Sequence, residues 1–321
     1  MYLINNLISL IIVNHNTGNV LKTCVKSIFE FERTTDFELI IIDQNSSDDS
    51  KQIIESLTSQ KNNIKTIYLD SNLGFSYANN RGFELASGEF ILIMNPDIFF
   101  TESIFNKLLD NFKSNPNLGA ISPLLVGTDG KFQHNYFQRF PSLTQYILFH
   151  SLISKSFFNS PRLINRYLEN HDINPNSKKI EYVNQIPCAF LLTKQNVFEE
   201  IGKMDENYIL FFEDVDLCYQ INKKYELAID ASLKITHLGG ASIRSKNDWW
   251  VYGRFIISMN HFFDKNYTPS RAFLLKIFTV KNSLLVIFFE YIKKIFNRAD
   301  EYRINKHKYY LKEFMKCYIK D

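Results

Sequence analysis

Five large apolar residues in succession, Phe90-Ile-Leu-Ile-Met94, stop at Asn95-Pro96-Asp97, and no other stretch constrains the fold as much. The run is too short for a helix standing alone. Being apolar at every position rather than at alternate ones, it suits a strand covered on both faces, as in a parallel sheet. Pro96 has no N–H to give to a ladder, so the strand ends there and Asp97 is carried to the carboxyl edge of the sheet. Open α/β sheets bind their ligands along that edge. Asp97 therefore has two readings, a ligand-side carboxylate or a cap for a helix starting near Thr101.

The residues ahead of this strand repeat one plan. Leu7–Val13 is a buried-strand run followed by the polar turn Asn14-His15-Asn16-Thr17-Gly18, and Val20, Leu21, Cys24, Val25 and Ile28 then recur with helical spacing. Phe37–Asp43 is a second strand, Gln44–Ser50 a turn, and Ile53, Ile54 and Leu57 mark a helix. A strand over Ile64–Leu69 and a helix over Ser76–Ala86 complete the series. Such alternation calls for a mostly parallel sheet flanked by helices, an α/β fold. Neither GxGxxG nor GxxxxGK[ST] occurs, which disfavours a dinucleotide dehydrogenase and a P-loop NTPase. Nor is there the early basic loop that nucleotidyl transfer would want. The turns offer instead Asn14, His15, Asp43, Gln44 and Asp97, groups suited to a base, a ribose and a diphosphate. Without a Gly-lined nest, the phosphates would need a divalent cation, Mg²⁺ or Mn²⁺.

Beyond Asp97 the pattern loosens. A helix is expected over Phe105–Phe112 and a strand over Ala120–Val126, whereas Lys131–Lys179, with His134, Tyr136 and Phe137 near its start, reads as a long excursion or lid. Glu181–Thr193 regains strand character and Gln195–Ile201 reads as a short helix. Glu213, Asp214 and Asp216 then open a further helix, where the dipole welcomes carboxylates. Phe211 and Phe212 directly precede them, so apolar walls can raise a carboxyl pKa toward that of a useful base. After a strand over Leu227–Ile235 comes His237, beside Gly239-Gly240, which taken alone reads as a structural histidine satisfied by backbone groups ahead of a metal ligand.

These segments, in order, resemble inverting glycosyltransferases of family 2, and most closely their rhamnosyltransferase-like branch. The resemblance lies in Ser9–Asn16, Ile42–Asp48, Asn72–Gly82, Met94–Asp97, Phe212–Leu217 and His237–Ser242. It implies a GT-A fold over 1–268, with a nucleotide-binding half at about 1–126 and an acceptor half at about 127–268. It also implies transfer from a nucleoside diphosphate sugar, first of all L-rhamnose from its dTDP donor, with UDP-hexose or UDP-N-acetylhexosamine as alternatives. The acceptor would be a glycan or lipid-linked glycan of a bacterial surface polysaccharide. In this reading Asp97 and His237 hold the metal and Asp214 is the catalytic base. Asp43 lies at the nucleobase, with Asn14, His15 and Gln44 around it, and Asn72, Asn79, Arg81 and Asn95 fall along the donor. The sequence departs from the pattern at His15, where Tyr is common, at Gln44, where Asp or Asn is common, and at Asn95, where a strict DxD motif has Asp. Cys188 and Lys203 stand where Gly is usual. A noncatalytic sugar-nucleotide or glycan-binding subunit is the other reading, and retention of both Asp97 and Asp214 argues against it.

Charge divides the chain. Residues 269–321 carry 12 Lys/Arg against 5 Asp/Glu, a balance of +7, while residues 1–268 carry −4, together giving the formal +3. The tail reads as basic amphipathic helix. Its charge-free runs are too short to span a bilayer, and it suits an anionic membrane surface or, equally, packing on its own domain or on a second subunit in a homo-oligomer. No nucleic-acid partner is expected. The 321 residues, 45% hydrophobic, suffice for a large core. Four scattered cysteines without a CxxC pair, and an N-terminus lacking a basic region and a cleavage site, lead to the expectation of a cytoplasmic protein, and the family resemblance implies that the tail attaches it peripherally to the inner face of the membrane.

Overall fold

The structure, a computed structural model, describes residues 6–133, 138–149, 159–167, 173–239 and 248–318. His134, Tyr136 and Phe137, and the Gly240–Ser242 end of the last motif, lie outside the described residues.

In chain order the elements are β1 (Ile8–Asn14), α1 (Gly18–Phe31), β2 (Phe37–Gln44), α2 (Ser50–Gln60), β3 (Ile64–Leu69), α3 (Phe75–Phe83), β4 (Phe90–Met94) and β5 (Ile98–Phe99). Next come α4 (Phe105–Ser114), β6 (Leu118–Val126), α5 (Leu143–Phe149), α6 (Pro161–Tyr167), β7 (Ile180–Tyr182), β8 (Phe190–Lys194) and α7 (Gln195–Glu200). The chain continues through α8 (Glu213–Asn222), β9 (Glu226–His237), α9 (Asp248–Asn266), α10 (Pro269–Ile295) and α11 (Glu301–Tyr318). These form two compact units.

The first unit, Met1–Phe140 with Asn170–Asn207 and Glu213–Arg244, holds the sheet, in the order β3-β2-β1-β4-β8-β6-β9-β5 with β7 on β9. Strands β1 and β4 are buried at every position, β4 being wholly apolar and β1 apolar but for Ser9 and its terminal Asn14. Each fully buried Leu or Ile contributes about 1.5–3 kcal/mol relative to exposure, so these strands are the anchor of the unit. Helix α1 covers the sheet with Leu21, Cys24, Val25 and Ile28, spaced to fall on one face. Gly82 lets α3 lie directly on the sheet, since a Cβ there would stand 2.6 Å from Ile11 Cγ2 and 2.7 Å from Ile42 Cδ1.

Parallel pairing joins β3, β2, β1 and β4, and recurs between β6 and β9. Strand β8 runs antiparallel to both β4 and β6, so the expected parallel sheet carries antiparallel members and is mixed. The physical reason is connectivity: β8 returns from a long excursion and is not fed by a crossover helix, which a parallel neighbour requires. The strand expected over Glu181–Thr193 is split into β7 and β8. Between them, Pro187 lies in an irregular segment whose Ile186 N–H and C=O are bonded to the Cys218 thiol.

The second unit comprises Pro141–Glu169, Tyr208–Phe212 and Ser245–Asp321. Helices α9, α10 and α11 pack on one another, and the short segment Tyr208–Phe212 is held on α9 by Tyr208 against His261, Phe212 against Phe255 and Phe262, and Ser258 Oγ donating to Leu210 O at 2.8 Å. The helical unit thus begins ahead of Pro269, because α9 supplies the surface on which the two tail helices fold. Among the described helices α10 is the one long and apolar enough to cross a membrane, and about a third of its apolar stretch is buried. The sequence reading set spanning aside on charge-free runs alone, a stricter test than one that tolerates two charged residues.

Candidate active site

Strands β2 and β4 flank β1, and the chain leaves β1 toward β2 and β3 on one side and reaches β4 on the other. At such a switch point the loops part and leave a crevice at the carboxyl edge. Asn14 and Asp43 end their strands in register there. Asn14 Nδ2 donates to Asp43 Oδ1 at 2.7 Å, and Asp43 also accepts from Ser46 N–H at 3.0 Å and from Ser46 Oγ at 2.6 Å. Thr17 Oγ1 donates to Asn14 Oδ1, His15 Nδ1 lies 2.9 Å from Gln44 O, and Gln44 Oε1 accepts from Leu73 N–H. One hydrogen-bonded network therefore fixes the turns after β1 and β2, with Asn14, Asp43 and Gln44 buried and His15 half-buried. Asn16 and Asn45 both sit at φ 55°, a left-handed conformation that Asn tolerates, and they turn the two loops.

Asp97 is buried and is not the cap of the following helix. That helix, α4, starts only at Phe105, and Glu32 caps it by accepting from Ile104 N–H at 2.6 Å and Phe105 N–H at 3.1 Å. Asp97 instead faces β9. Ile98 pairs with His237, Leu238 N–H donates to Asp97 O at 3.1 Å, and His237 Nε2 stands 3.4 Å from Asp97 Oδ1. Gln133 sets the imidazole tautomer. Its Nε2 donates to His237 O at 2.9 Å, so its Oε1, 2.8 Å from His237 Nδ1, accepts the Nδ1 proton. In the neutral ring this aims the Nε2 lone pair at the Asp97 carboxylate, and two acceptors so disposed are bridged by a proton or a cation.

The first turn of α8 carries Glu213, Asp214 and Asp216, where the helix dipole favours them. Phe211 and Phe212 lead into it at φ 64° and 67°, a left-handed region costly for bulky side chains and sustained here by their packing against Phe255. Burial raises the Glu213 carboxyl to a pKa of about 8, with the neighbouring Asp214 charge adding to the rise, and Glu213 Oε2 is buried without a hydrogen-bond partner among the described residues. Burial also raises Asp214, against an opposing bond from Val215 N–H to Asp214 Oδ1 at 2.8 Å. Cys188 lies beside this pair: burial first, then the Asp214 charge, pushes its thiol up.

A stability test follows from the direction of these shifts. Above its ordinary pKa of 4.5 Glu213 ionises in the unfolded chain while the native chain keeps the proton up to about 8, so native stability falls as pH climbs through that window. Glu213→Gln removes the titration. Thermal melts from pH 5 to 8 are expected to show the native protein losing several degrees more than the variant; parallel curves would mean that Glu213 is solvated.

The family model for glycosyl transferase family 2 matches residues 9–185, more than half of the chain. The chain belongs to that family. Two curated relatives are the glycosyltransferase GlyG of Streptococcus pneumoniae, 30% identical over 32% of this chain and 34% of its own length, and an N-acetylglucosaminyl-diphospho-decaprenol L-rhamnosyltransferase of Mycobacterium tuberculosis, 24% identical over 60% of this chain and 62% of its own. The chain thus spans from about a third to somewhat under two thirds of these relatives. Among solved structures, the mannosyltransferase PcManGT of Pyrobaculum calidifontis in complex with GDP-Man and Mn²⁺ aligns with 98% of this chain and 88% of its own, at a TM-score of 0.53 and 12% identity. That likeness shows the fold, GT-A.

Of the residues expected at the site, this family 2 chain gathers Asn14, His15, Asp43 and Gln44 in one network, Asp97 with His237 in a second cluster, and Asp214 with Glu213 in a third. The others are engaged elsewhere. Asn72 Oδ1 accepts from Gly74 N–H, and Arg81 Nη2 lies 3.0 Å from Glu84 and 3.4 Å from Glu206, over the Tyr77 ring. Asn79 Nδ2 donates to Phe75 O within α3, although Asn79 Oδ1 is buried and has no partner among the described residues. Asn95 is half-buried, its N–H bonded to Ala189 O. Lys203 sits at φ 65°, which accounts for the preference for Gly at that position. Sequence reading missed Gln133 and Ser46. Gln133 falls in a segment without periodicity, so nothing flags it, whereas Ser46 lies in the polar turn Gln44–Ser50 with nothing to single it out from its neighbours. A recess lined by Glu89, Lys194, Gln195 and Glu199 lies at the start of β4, the end opposite Asp97, and takes no part in the site.

Proposed function

We propose that the protein is an inverting glycosyltransferase that moves a sugar from a nucleoside diphosphate sugar to an acceptor hydroxyl in bacterial surface polysaccharide synthesis. The observation that carries this reading is Asp97 meeting His237 Nε2 at the carboxyl edge of the sheet, with the tautomer set by Gln133. One carboxylate and one imidazole fit a divalent cation such as Mn²⁺ or Mg²⁺. Among the described residues no third His, Cys, Asp or Glu joins them, so diphosphate oxygens and water would fill the remaining positions. When bound, the cation would neutralise charge on the departing diphosphate.

The chain's own residues do the rest. Asn14, His15, Asp43 and Gln44 line the nucleoside end, held rigid by the network around Ser46. Asp214 takes the proton of the acceptor hydroxyl as its oxygen attacks the anomeric carbon from the face opposite the leaving group. Glu213, uncharged at neutral pH, keeps a second negative charge away from that base. Residues 1–126 serve the donor and 127–268 the acceptor, a glycan or lipid-linked glycan. For the donor we favour L-rhamnose from dTDP-rhamnose, supported by the rhamnosyltransferase among the relatives, over UDP-hexose or UDP-N-acetylhexosamine.

A thermal-shift panel of nucleotide sugars with and without Mn²⁺ tests the donor. A ligand at a hundred times its Kd stabilises the native state by about 2.7 kcal/mol. The reading predicts the largest rise with dTDP-rhamnose and only when Mn²⁺ is present; a larger rise with a UDP-sugar would change the donor, and no rise with any would remove it.

A further inference from the structure

Helix α10 is inside out. Its inward face carries Thr279, Asn282, Ser283 and Glu290 beside Ala272, Leu275 and Val286, whereas Phe273, Ile277, Leu284, Phe288, Tyr291 and Ile295 point outward. At 100° per residue these six fall within a sixth of a turn, one stripe along the helix. They are 38–77% exposed together with their neighbours Leu274, Phe289, Ile292 and Phe296. A helix on a protein in water presents the opposite arrangement. An apolar patch of this extent marks a surface that meets something apolar.

The inward polar groups are satisfied within the helical unit, so the orientation is not an accident of register. Thr279 Oγ1 donates to Leu275 O at 2.7 Å, Ser283 Oγ stands 3.1 Å from His307 Nδ1, and Glu290 accepts from Lys293 Nζ at 2.7 Å, Arg303 Nη1 at 3.2 Å and Asp300 N–H at 3.0 Å. Rotating α10 to hide the aromatics would break the bonds that leave the helix, from Ser283 to His307 and from Glu290 to Arg303 and Asp300. Because α9 and α11 pack along the other side, lipid cannot surround α10. The apolar contact is one-sided, which suits a helix lying in a bilayer interface rather than across it.

Charge selects the occupant. Residues 269–321 carry +7, and Lys281 and Arg298 have no ion pair among the described residues. A second copy of the chain laid on this stripe would bring the same +7 against it, whereas anionic headgroups complement it. We propose that the outward stripe of α10 seats this protein on an anionic membrane surface, with Lys281 and Arg298 reaching the phosphates along their aliphatic stems. The inference uses none of the transfer-site residues and stands apart from the sugar chemistry.

The test uses the full chain and vesicles of equal parts phosphatidylglycerol and phosphatidylcholine at low salt. The native protein is expected to sediment with them, and Ile277→Glu/Phe288→Glu is expected to lower the partition coefficient roughly tenfold or more with an unchanged melt, both sites being outward. Equal sedimentation of the two proteins overturns the proposal, as does absence of native binding. A native dimer in sedimentation velocity that the double variant converts to monomer would assign the stripe to a second copy and also overturn it. Should the double variant melt early, Phe288→Trp replaces it: a blue shift of its emission on adding vesicles is expected, and unchanged emission counts against the membrane.

Discussion

Asp214→Asn is expected to bind the donor as the native protein does and to turn over roughly 10²- to 10⁴-fold more slowly, the range for loss of a general base. The amide keeps the shape of the side chain and can still accept from Val215 N–H, now 2.8 Å from Asp214 Oδ1, so the first turn of α8 should persist. What it cannot do is take a proton. The buried setting that raises the Asp214 carboxyl makes it a stronger base than an exposed Asp, and the same setting makes the loss large. Calorimetry of donor binding beside a single-turnover assay separates the two steps. Near-native turnover with native affinity would move the base to Glu213 or to Asp216, although Asp216 is buried and accepts from Gln220 Nε2 at 3.1 Å.

Asp97→Ala should abolish transfer together with Mn²⁺-dependent binding of the nucleoside diphosphate. Its backbone carbonyl would still accept from Leu238 N–H, so β5 remains paired with β9 and the fold should survive. The variant leaves the His237 imidazole with Gln133 on one side and no carboxylate on the other. Titration calorimetry with and without Mn²⁺ reads the effect, and unchanged metal-dependent affinity would remove Asp97 from the phosphate end. His237→Ala belongs to the same argument. It is expected to weaken Mn²⁺ affinity more than it lowers the melt of the metal-free protein; equal losses with and without metal would make His237 a structural residue.

Much of this was legible because burial writes itself plainly into parallel strands. Phe90–Met94 is apolar at every position, and Leu7–Val13 and Phe37–Asp43 are interrupted only by Ser9, by Glu38 and by Asp43 at the end, a density that suits strands covered on both faces. Their ends then locate Asn14, Asp43 and Asp97 without further information. The cap alternative for Asp97 could be removed only by seeing that Glu32, 72 residues before Ile104, takes the helix start. The antiparallel turn at β8 depends on which way a long excursion re-enters, and local pattern carries no record of it. Gln133 was hidden for the same reason, since its meaning lies in a contact with His237 across 104 positions. In α10 the apolar positions were visible, but their facing was not: periodicity finds a stripe and leaves open which side of the helix the protein covers.

Proton NMR of the anomeric centre during turnover measures the central claim most directly. With Mn²⁺, a nucleoside diphosphate sugar and an acceptor glycan, the native protein is predicted to form a single product whose anomeric configuration is opposite to that of the donor, from one displacement assisted by Asp214. A product of retained configuration would contradict it. So would a donor left intact across dTDP-rhamnose, UDP-hexoses and UDP-N-acetylhexosamines.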